Sequence, residues 1–430
     1  MVPAIHSGAE RGAHWQVLTD VATHHVTCER VIAAPSDAVW SLVGDFFGNW
    51  HPAIEYIRKE KDGVTRCFTV KGEDGLYRER LTAISTKKRT LRYQHVEGIR
   101  AVHAYNATCK VSEYAGGAQV TWSADIEADE PRATEIAGGT RAVFESGLEA
   151  LASLLEVKDL ELPNAPKLAI SAIAKREGPM LLFLHGIGGN RGNWHAQLSA
   201  VAPLLQAAAM DLRGYGGSHL GKAQTTVDDY CADILRVMGH FEKSSVILCG
   251  LSYGSWIATS FAMRHPEKLA GLVLSGGCTG MSEAEEVERQ SFLMSRMKPL
   301  HEGKTPADFA ENVVNVIAGP RAGAAVCSTL WNSMVQIPTE TYRDAVTCFC
   351  NPTETFDFSN IHCPVLLITG EHDRLASPAE IKSVADRMRA ASGAQAVQFE
   401  IIADAGHVCN LEQPQLYNTV LVQFLQGIVQ

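Results

Sequence analysis

The sequence lacks the features that mark membrane, secreted and nucleic-acid-binding proteins. None of its uninterrupted apolar runs approaches the roughly 20 residues that a membrane-spanning helix needs. Residues 1–15 have neither the basic start nor the apolar core of a signal peptide. Positive charge is not in excess, because 38 lysines and arginines face 48 acidic residues, and the net charge of −10 argues against a nucleic-acid partner. We therefore expect a cytoplasmic protein without a membrane or nucleic-acid partner.

Closely spaced cysteines are also scarce. The eleven cysteines are scattered, and no Cys-x-x-Cys pair occurs. Cys348 and Cys350 form the only close pair, and no histidine-rich motif stands beside them. This pattern predicts buried free thiols and no metal site.

One short stretch, residues 246–254, indicates a catalytic serine. An apolar strand (246–249) runs into Gly250-Leu251-Ser252-Tyr253-Gly254 and then into a helix (255–263). A serine hydroxyl is a poor nucleophile unless a base takes its proton. A sharp turn between strand and helix lifts this hydroxyl above the sheet, where a histidine can reach it. Because glycines lack a Cβ atom, the turn can be tight, and we interpret Ser252 as the nucleophile.

The chain is longer than one hydrophobic core usually supports, so we expect two domains. We predict a flexible tail over residues 1–24, and after it one short helix among strands separated by turns. The segments with strand character are 28–33, 54–59, 66–70, 77–85, 90–96, 102–112 and 119–126. A long amphipathic helix, 132–156, follows them. This order predicts an α+β domain over 25–157, in which an antiparallel sheet wraps around the long helix.

Several motifs of this first domain resemble a known superfamily. They are Arg30-Val31-Ile32-Ala33-Ala34-Pro35, Val39-Trp40, Gly44-Asp45-Phe46, Trp50-His51-Pro52-Ala53-Ile54, Tyr77-Arg78-Glu79-Arg80-Leu81 and Thr121-Trp122-Ser123. Through them the domain resembles the START-like, polyketide cyclase/dehydrase superfamily, or Bet v 1-like helix-grip fold. The resemblance implies a cavity for an apolar or aromatic ligand. His51, Arg80, Tyr105 and Trp122 are expected to face it; the alternative for each is a packed or surface position.

The second half of the chain alternates strands and helices. A linker is predicted over 158–166, where Pro163 and Pro166 stand. The apolar runs that predict buried strands are 180–184, 207–210, 246–249, 269–274, 364–369 and 397–402. With helices between most of them, they predict a doubly wound, mostly parallel α/β sheet over 167–430. The active site of such a sheet lies at the carboxyl ends of its strands.

The motif His185-Gly186-Ile187-Gly188-Gly189-Asn190 follows the strand 180–184. Attack by a serine on an acyl carbon puts negative charge on the carbonyl oxygen, and two fixed backbone N–H groups can hold that charge. Losing one such donor typically costs about 10²–10³ in rate. We assign this oxyanion hole to the N–H groups of Ile187 and Tyr253, and expect His185 to hold the loop.

The acid and the base of a catalytic triad are expected in loops that follow later strands of the sheet. Asp373 follows the strand 364–369 and is the preferred acid, with Glu371 as its rival. After the strand 269–274 no carboxylate occurs before Glu283, so that position is unfavourable. His407 follows the last strand, and the order Ser252, Asp373, His407 is that of the α/β-hydrolase fold. An acid in this place holds the imidazole in one tautomer and stabilises its cation.

One further loop follows the strand 207–210 and reads Asp211-Leu212-Arg213-Gly214-Tyr215-Gly216-Gly217-Ser218. Asp211 and Arg213 are expected to organise this loop by hydrogen bonds and to take no part in the reaction.

Together these motifs resemble the α/β-hydrolase superfamily over residues 167–430. Within it, the stretches 185–190 and 405–414 are most similar to the 3-oxoadipate enol-lactonase-like branch. This resemblance implies hydrolysis of a lactone or ester without a metal or an organic cofactor. The chain departs from the branch at Ser255, where a glycine is often found. It departs again in a long, largely helical segment of 281–360, which is expected to form a cap over the substrate pocket.

The sequence thus predicts a serine hydrolase of a small, hydrophobic lactone or ester. The fused START-like domain would bind or process a related small molecule. Three alternatives stay open: cleavage of a C–C bond in a β-diketone or ring-opened dienoate, cofactor-free perhydrolase activity, and a binding protein with an inactive hydrolase shell. Epoxide hydrolases and dehalogenases are excluded, because they need an aspartate where Ser252 stands.

Overall fold

The computed structural model describes residues 21–115, 117–164, 166–173, 176–391 and 396–429. Residues 1–20 of the predicted tail lie outside this range. The described chain forms two compact units. The first comprises residues 21–31, 42–114 and 119–151, and the second consists mainly of residues 152–429.

The first unit is built on a seven-stranded sheet with the strand order β1-β7-β6-β5-β4-β3-β2. Its strands are β1 (Val21–Ile32), β2 (Ile54–Lys59), β3 (Thr65–Val70), β4 (Leu76–Ser85), β5 (Thr90–Glu97), β6 (Val102–Tyr114) and β7 (Gly117–Asp129). Strands β2 to β6 pair antiparallel, in chain order. The long helix α2 (Arg132–Leu155) accompanies these strands, and a short helix, α1 (Ser36–Val43), follows β1 in the chain. Trp122 of β7 stacks on Phe144 of α2 with ring centroids 4.4 Å apart, as expected where the long helix packs on the sheet.

The first strand begins earlier than the sequence predicts. Residues 21–24, assigned above to the tail, belong to β1, which lies beside β7 at one edge of the sheet. His24 contributes to this arrangement through a 2.6 Å contact between its Nε2 atom and the Glu130 carboxylate. The residues of this segment are exposed or half-buried, as expected for an edge strand with one face in water.

The second unit contains an eight-stranded sheet with the order β15-β14-β13-β12-β10-β11-β9-β8. Its strands are β8 (Lys158–Leu162), β9 (Leu168–Ala172), β10 (Met180–Leu184), β11 (Ala207–Met210), β12 (Val246–Leu251), β13 (Leu269–Ser275), β14 (Val365–Gly370) and β15 (Val397–Ile402). Strands β10 to β15 are parallel, whereas β8 and β9 run antiparallel to their neighbours. Every residue of β10 is inaccessible to solvent, as expected for a central parallel strand.

The helices of this unit fall into two groups. Those that alternate with the strands are α3 (His195–Val201), α4 (Val227–His240), α5 (Tyr253–Arg264), α10 (Pro378–Ala391), α11 (Cys409–Glu412) and α12 (Pro414–Val429). The segment 281–360, called the cap below, contains α6 (Glu286–His301), α7 (Ala310–Ile317), α8 (Ala324–Val335) and α9 (Thr339–Cys350). The cap is inserted between β13 and β14.

The predicted linker needs a correction. Residues 158–162 form β8, which pairs antiparallel with β9 from Lys158 opposite Ala172 to Leu162 opposite Leu168. The prolines at 163 and 166 lie in the turn between the two strands. The two prolines suggested a linker over the whole stretch, but they only interrupt the chain between β8 and β9, and the charged side chains of 158–162 are common on edge strands, where they oppose pairing with another chain.

All eleven cysteines are free, and ten of them are buried, as predicted. Among the described residues, no helix is both long and apolar enough to cross a membrane.

Candidate active site

Ser252 occupies a sharp turn between β12 and α5. Its backbone has φ 55° and ψ −113°, a left-handed conformation that a non-glycine residue adopts only where the surroundings impose it. The surroundings are crowded: a Cβ atom on Gly250 would lie 2.3 Å from the Gly254 carbonyl oxygen. One on Gly254 would lie 2.2 Å from the carbonyl oxygen of Leu184. The two glycines of the motif therefore let the strands and the helix approach closely enough to form this turn.

Ser255 fastens the turn to the neighbouring strand. Its fully buried hydroxyl donates to the carbonyl of Ser275 at 2.9 Å and accepts the Ser275 N–H at 3.0 Å. The Ser252 N–H also donates to the Ser275 carbonyl, at 2.8 Å. A glycine at 255 could make neither side-chain bond, so this departure from the enol-lactonase-like pattern has a structural role.

His407 and Asp373 form a buried pair. The Nδ1 atom of His407 lies 2.9 Å from Oδ2 of Asp373. The other carboxylate oxygen accepts the N–H groups of Leu375 and Ala376 at 2.8 and 3.0 Å. Burial raises the pKa of Asp373, but the hydrogen bond and charge of His407 and these two N–H groups hold it below its usual value. With a proton on Nδ1 donated to Asp373, the histidine keeps Nε2 as a base.

The rival acid, Glu371, has a different place. Its side chain is exposed, and Oε2 accepts the backbone N–H of Asp404 at 3.0 Å. Of the two candidates, the structure thus brings Asp373 to His407, while Glu371 holds the loop that precedes the histidine.

Ser252 and His407 line one cavity of about 350 Å³. The part of the unit outside the cap contributes lining residues such as Ile187 of the predicted oxyanion loop. The cap contributes most of the others. The apolar lining residues of the cap are Phe292, Pro299, Phe309, Val313, Val316, Ile317, Leu330, Met334, Val346 and Phe349. The cap adds one charged side chain, Arg296, which sequence reasoning missed.

The predicted oxyanion loop runs against the predicted nucleophile. A Cβ atom on Gly186 would lie 3.3 Å from the Cβ of Ser252, so a side chain there would have to displace Ser252 or the loop by a few tenths of an ångström. Ile187 follows this glycine at the cavity wall. Tyr253 begins α5, and N–H groups in a helix's first turn have no partner within the helix. Both backbone N–H groups thus belong to segments that border Ser252.

His185 holds this loop, as predicted. Its buried ring accepts the N–H of Leu212 at Nε2, 3.0 Å away, so the proton sits on Nδ1 and is donated to the Gly186 carbonyl at 2.7 Å. Burial lowers the pKa of His185 and thereby favours this neutral form, although the Asp211 charge opposes the effect. Both ring nitrogens are occupied, which leaves His185 no part in proton transfer.

Asp211 and Arg213 also organise their loop. Asp211 is fully buried and accepts the N–H groups of Arg191 and Gly217, at 2.7 and 2.9 Å. Arg213 binds the buried Asp233 and, at 2.8 Å, Asp229. These contacts agree with the predicted structural role.

A second cavity, of about 370 Å³, lies in the first unit. His51, Tyr105 and Trp122 line it, as expected. His51 is held by the backbone on both sides: Nε2 lies 3.0 Å from the Val143 carbonyl, and Nδ1 accepts the Ala53 N–H at 3.2 Å. Burial lowers the pKa of His51, so the neutral ring is favoured.

The prediction for Arg80 was wrong. Its half-exposed side chain lies outside the cavity, with Nη2 3.7 Å from Asp62. Tyr77 and Glu79 line the cavity, and side chains alternate along β4, so Arg80 points to the other face. The arginines that line the cavity are Arg132 of α2 and Arg66 of β3, which pairs with Glu79 at 2.6 Å. Following the alternation of β4 from Tyr77 would have placed Arg80 correctly.

Comparison with known proteins identifies the families of both units. A family model described as the alpha/beta hydrolase fold matches residues 179–414, more than half of the chain. The chain therefore belongs to the α/β-hydrolase fold family. A second model, described as polyketide cyclase/dehydrase and lipid transport, matches residues 23–156. These matches confirm the predicted fold class and the predicted resemblance of each half. They also identify the protein as a hydrolase.

Individual relatives are distant. The chain is 25% identical to epoxide hydrolase 3 of Xenopus tropicalis over 285 residues, which cover 59% of this chain and 73% of that protein. It is 20% identical to 3-oxoadipate enol-lactonase 1 of Acinetobacter baylyi over 267 residues, or 61% and 94% of the two chains. A solved esterase from Thermogutta terrifontis shares the fold with a TM-score of 0.55 and 23% identity, over 64% of this chain and all of that one.

Proposed function

We propose that the protein is a serine hydrolase that cleaves a small ester or lactone, with Ser252 as nucleophile, His407 as base and Asp373 as its orienting acid. The observation that carries this proposal is the buried His407–Asp373 pair on the cavity that Ser252 also lines. The similarity to an enol-lactonase agrees with it. The likeness to an epoxide hydrolase does not extend to the reaction, because a serine stands at the nucleophile position where those enzymes need an aspartate.

The reaction would proceed through an acyl-enzyme. His407 takes the proton of the Ser252 hydroxyl as Oγ attacks the carbonyl carbon, and the N–H groups of Ile187 and Tyr253 hold the oxyanion. The bond to the alkoxy oxygen then breaks, and His407 returns its proton to that oxygen. Water next attacks the acyl carbon and gives a proton to His407. His407 passes this proton to Oγ of Ser252 as the bond between Oγ and the acyl carbon breaks, and the acid leaves.

Intact-mass analysis after treatment with a fluorophosphonate tests this proposal. The wild type should gain one adduct, and Ser252→Ala should gain none. Ser295→Ala is the matched control, because Ser295 lines the same cavity, and this variant should be labelled like the wild type. An adduct on the Ser252→Ala variant, or none on a folded wild type, would contradict the assignment and favour an inactive hydrolase shell.

We infer that the first domain binds a small hydrophobic molecule in its own cavity. Support comes from the aromatic side chains that line it, among them Trp50, Tyr93, Tyr105 and Trp122. An aromatic lining of this kind is typical of small-molecule sites.

Two adjacent glycines of α2 allow a direct test of this inference. Gly139 borders the cavity, Gly138 does not, and a Cβ atom would meet nothing within 4 Å at either position. Gly139→Leu should weaken binding of 1-naphthol, measured by calorimetry on the full chain, whereas Gly138→Leu should not. Equal binding by both variants would count against this cavity as the site.

A further inference from the structure

Arg296 is an unusual cation in the catalytic cavity. It lies on α6 of the cap, half-buried, with its guanidinium carbon 4.9 Å from the ring centroid of Phe292, which also lines the cavity. No aspartate or glutamate is among the described residues that line this cavity. Within the described part of the chain, Arg296 makes no ion pair or hydrogen bond.

Three other arginines of this unit that are shielded from water bind carboxylates, whereas Arg176, whose Nη2 atom is buried without a partner among the described residues, does not. Arg191 pairs with Asp211, Arg213 with Asp233, and Arg264 with Asp228. Removing a cation from water without a counterion is unfavourable, and the protein supplies the counterion in these three cases. Arg296 has no such counterion on any residue that the structure describes, and an anionic group of a molecule bound in the cavity can supply it.

We propose that Arg296 is a specificity residue that binds a carboxylate of the substrate, which makes the preferred substrate an ester or lactone carrying one negative charge. This inference rests on the proposed function. A guanidinium donates two parallel hydrogen bonds to a carboxylate. A phosphate dianion matches this geometry too, but one guanidinium would leave a net negative charge in a largely apolar cavity.

Polar neighbours of Arg296 fit this assignment. Asn312 of α7 lines the same cavity, and its side-chain amide can donate hydrogen bonds to a bound anion, whereas the Ser295 hydroxyl donates to the Phe292 carbonyl at 2.7 Å. Tyr342 also lines the cavity: burial raises the pKa of this phenol, and the positive charge of Arg296 partly offsets the effect. The positive charge of Arg296 therefore acts on the Tyr342 phenol, another residue of the cavity wall.

The cavity of the first domain differs in charge. Four carboxylates line it, those of Asp45, Glu73, Glu79 and Glu135, against two guanidinium groups, those of Arg66 and Arg132. Arg66 already pairs with Glu79, and Arg132 with Glu135. An anionic substrate of the hydrolase is not suited to this lining, so the two cavities take different molecules.

A matched pair of esters tests the role of Arg296 in the full chain. The 4-nitrophenyl monoester of adipic acid carries a carboxylate, and 4-nitrophenyl hexanoate has the same chain length without one. The wild type should prefer the monoester. Arg296→Gln should lower kcat/KM for the monoester by roughly 10- to 100-fold, mainly through KM, and leave the hexanoate within about threefold. Arg296→Lys should retain part of the preference.

Arg289→Gln is the matched control, because Arg289 lies on the same helix, donates to the Ala284 carbonyl and does not line the cavity. A wild type without preference for the monoester, or an equal loss on both esters in Arg296→Gln, would overturn the assignment. The proposed function is tested separately, by hydrolysis of the hexanoate and its loss in Ser252→Ala.

Discussion

The Nδ1 atom of His407 lies 2.9 Å from Oδ2 of Asp373, while Glu371, two residues earlier, is exposed and bonded to the backbone of Asp404. Asp373→Asn keeps the shape of this contact but favours the wrong tautomer of the imidazole. We expect kcat for an ester substrate to fall by about 10³–10⁴-fold. Glu371→Gln serves as the control and should stay within about threefold. Similar losses in both variants would mean that the pair does not orient the base.

Asp373 should also make stability depend on pH in the acid range. Its pKa in the folded protein lies below the ordinary value of 3.8, so the ionised form stabilises the fold. The difference in free energy of unfolding between the wild type and Asp373→Asn should be complete above about pH 5. It should shrink as the pH falls below the ordinary value and the carboxylate takes up its proton. Urea titrations at several pH values measure this difference, and one that grew on acidification would have the wrong sign.

Ser255→Ala should weaken the turn that holds Ser252. The variant loses both hydrogen bonds to the Ser275 backbone in a fully buried place, which should cost about 1–3 kcal/mol of unfolding free energy. Fluorophosphonate labelling of Ser252 should slow, since the turn is less well fixed. Thr329→Ala removes a comparable bond, from Oγ1 to the Ala325 carbonyl, at an exposed position, and should change little. If the two variants behaved alike, Ser255 would have no special role.

Two glycines of α2 should respond in opposite directions to alanine. At Gly147 a Cβ atom would lie 2.7 Å from the His51 ring and 2.8 Å from the Trp122 ring, so Gly147→Ala should destabilise by about 1–3 kcal/mol. At Gly138 it would meet nothing within 4 Å, so Gly138→Ala should stabilise by up to about 1 kcal/mol. Thermal unfolding of the full chain measures both, and a stabilising Gly147→Ala would show that the helix does not press on these rings.

Much of the hydrolase fold could be predicted because its buried parallel strands are continuous apolar runs. The strand 180–184, for example, has the same bounds in the sequence and in the structure. The turn at Ser252 was predictable for a similar reason, since its two glycines and the preceding strand are adjacent in sequence. The choice of Asp373 over Glu371 remained open until the distance to His407 was known.

Features that depend on partners distant in sequence were harder to predict. Residues 158–162 are mostly polar, and only their pairing with β9 makes them a strand. Arg66 enters the first cavity through its position opposite Glu79 on the neighbouring strand, and this register is not visible in a single segment. Arg296 carries no local signal either, because the cap helices fold over the Ser252 cavity from a separate part of the chain.

In the proposed mechanism, the insertion of the cap between β13 and β14 separates, along the gene, the residues that select the substrate from those that react. Ser252, Asp373 and His407 all lie outside 281–360, so one contiguous stretch of coding sequence could be recombined to retarget the enzyme while its reaction is inherited intact. A grafted cap would have to reproduce one backbone feature. The carbonyl of Ile317, in α7, accepts the His407 N–H at 2.8 Å. A cap from another protein that places no hydrogen-bond acceptor there would leave the backbone of His407 less well fixed.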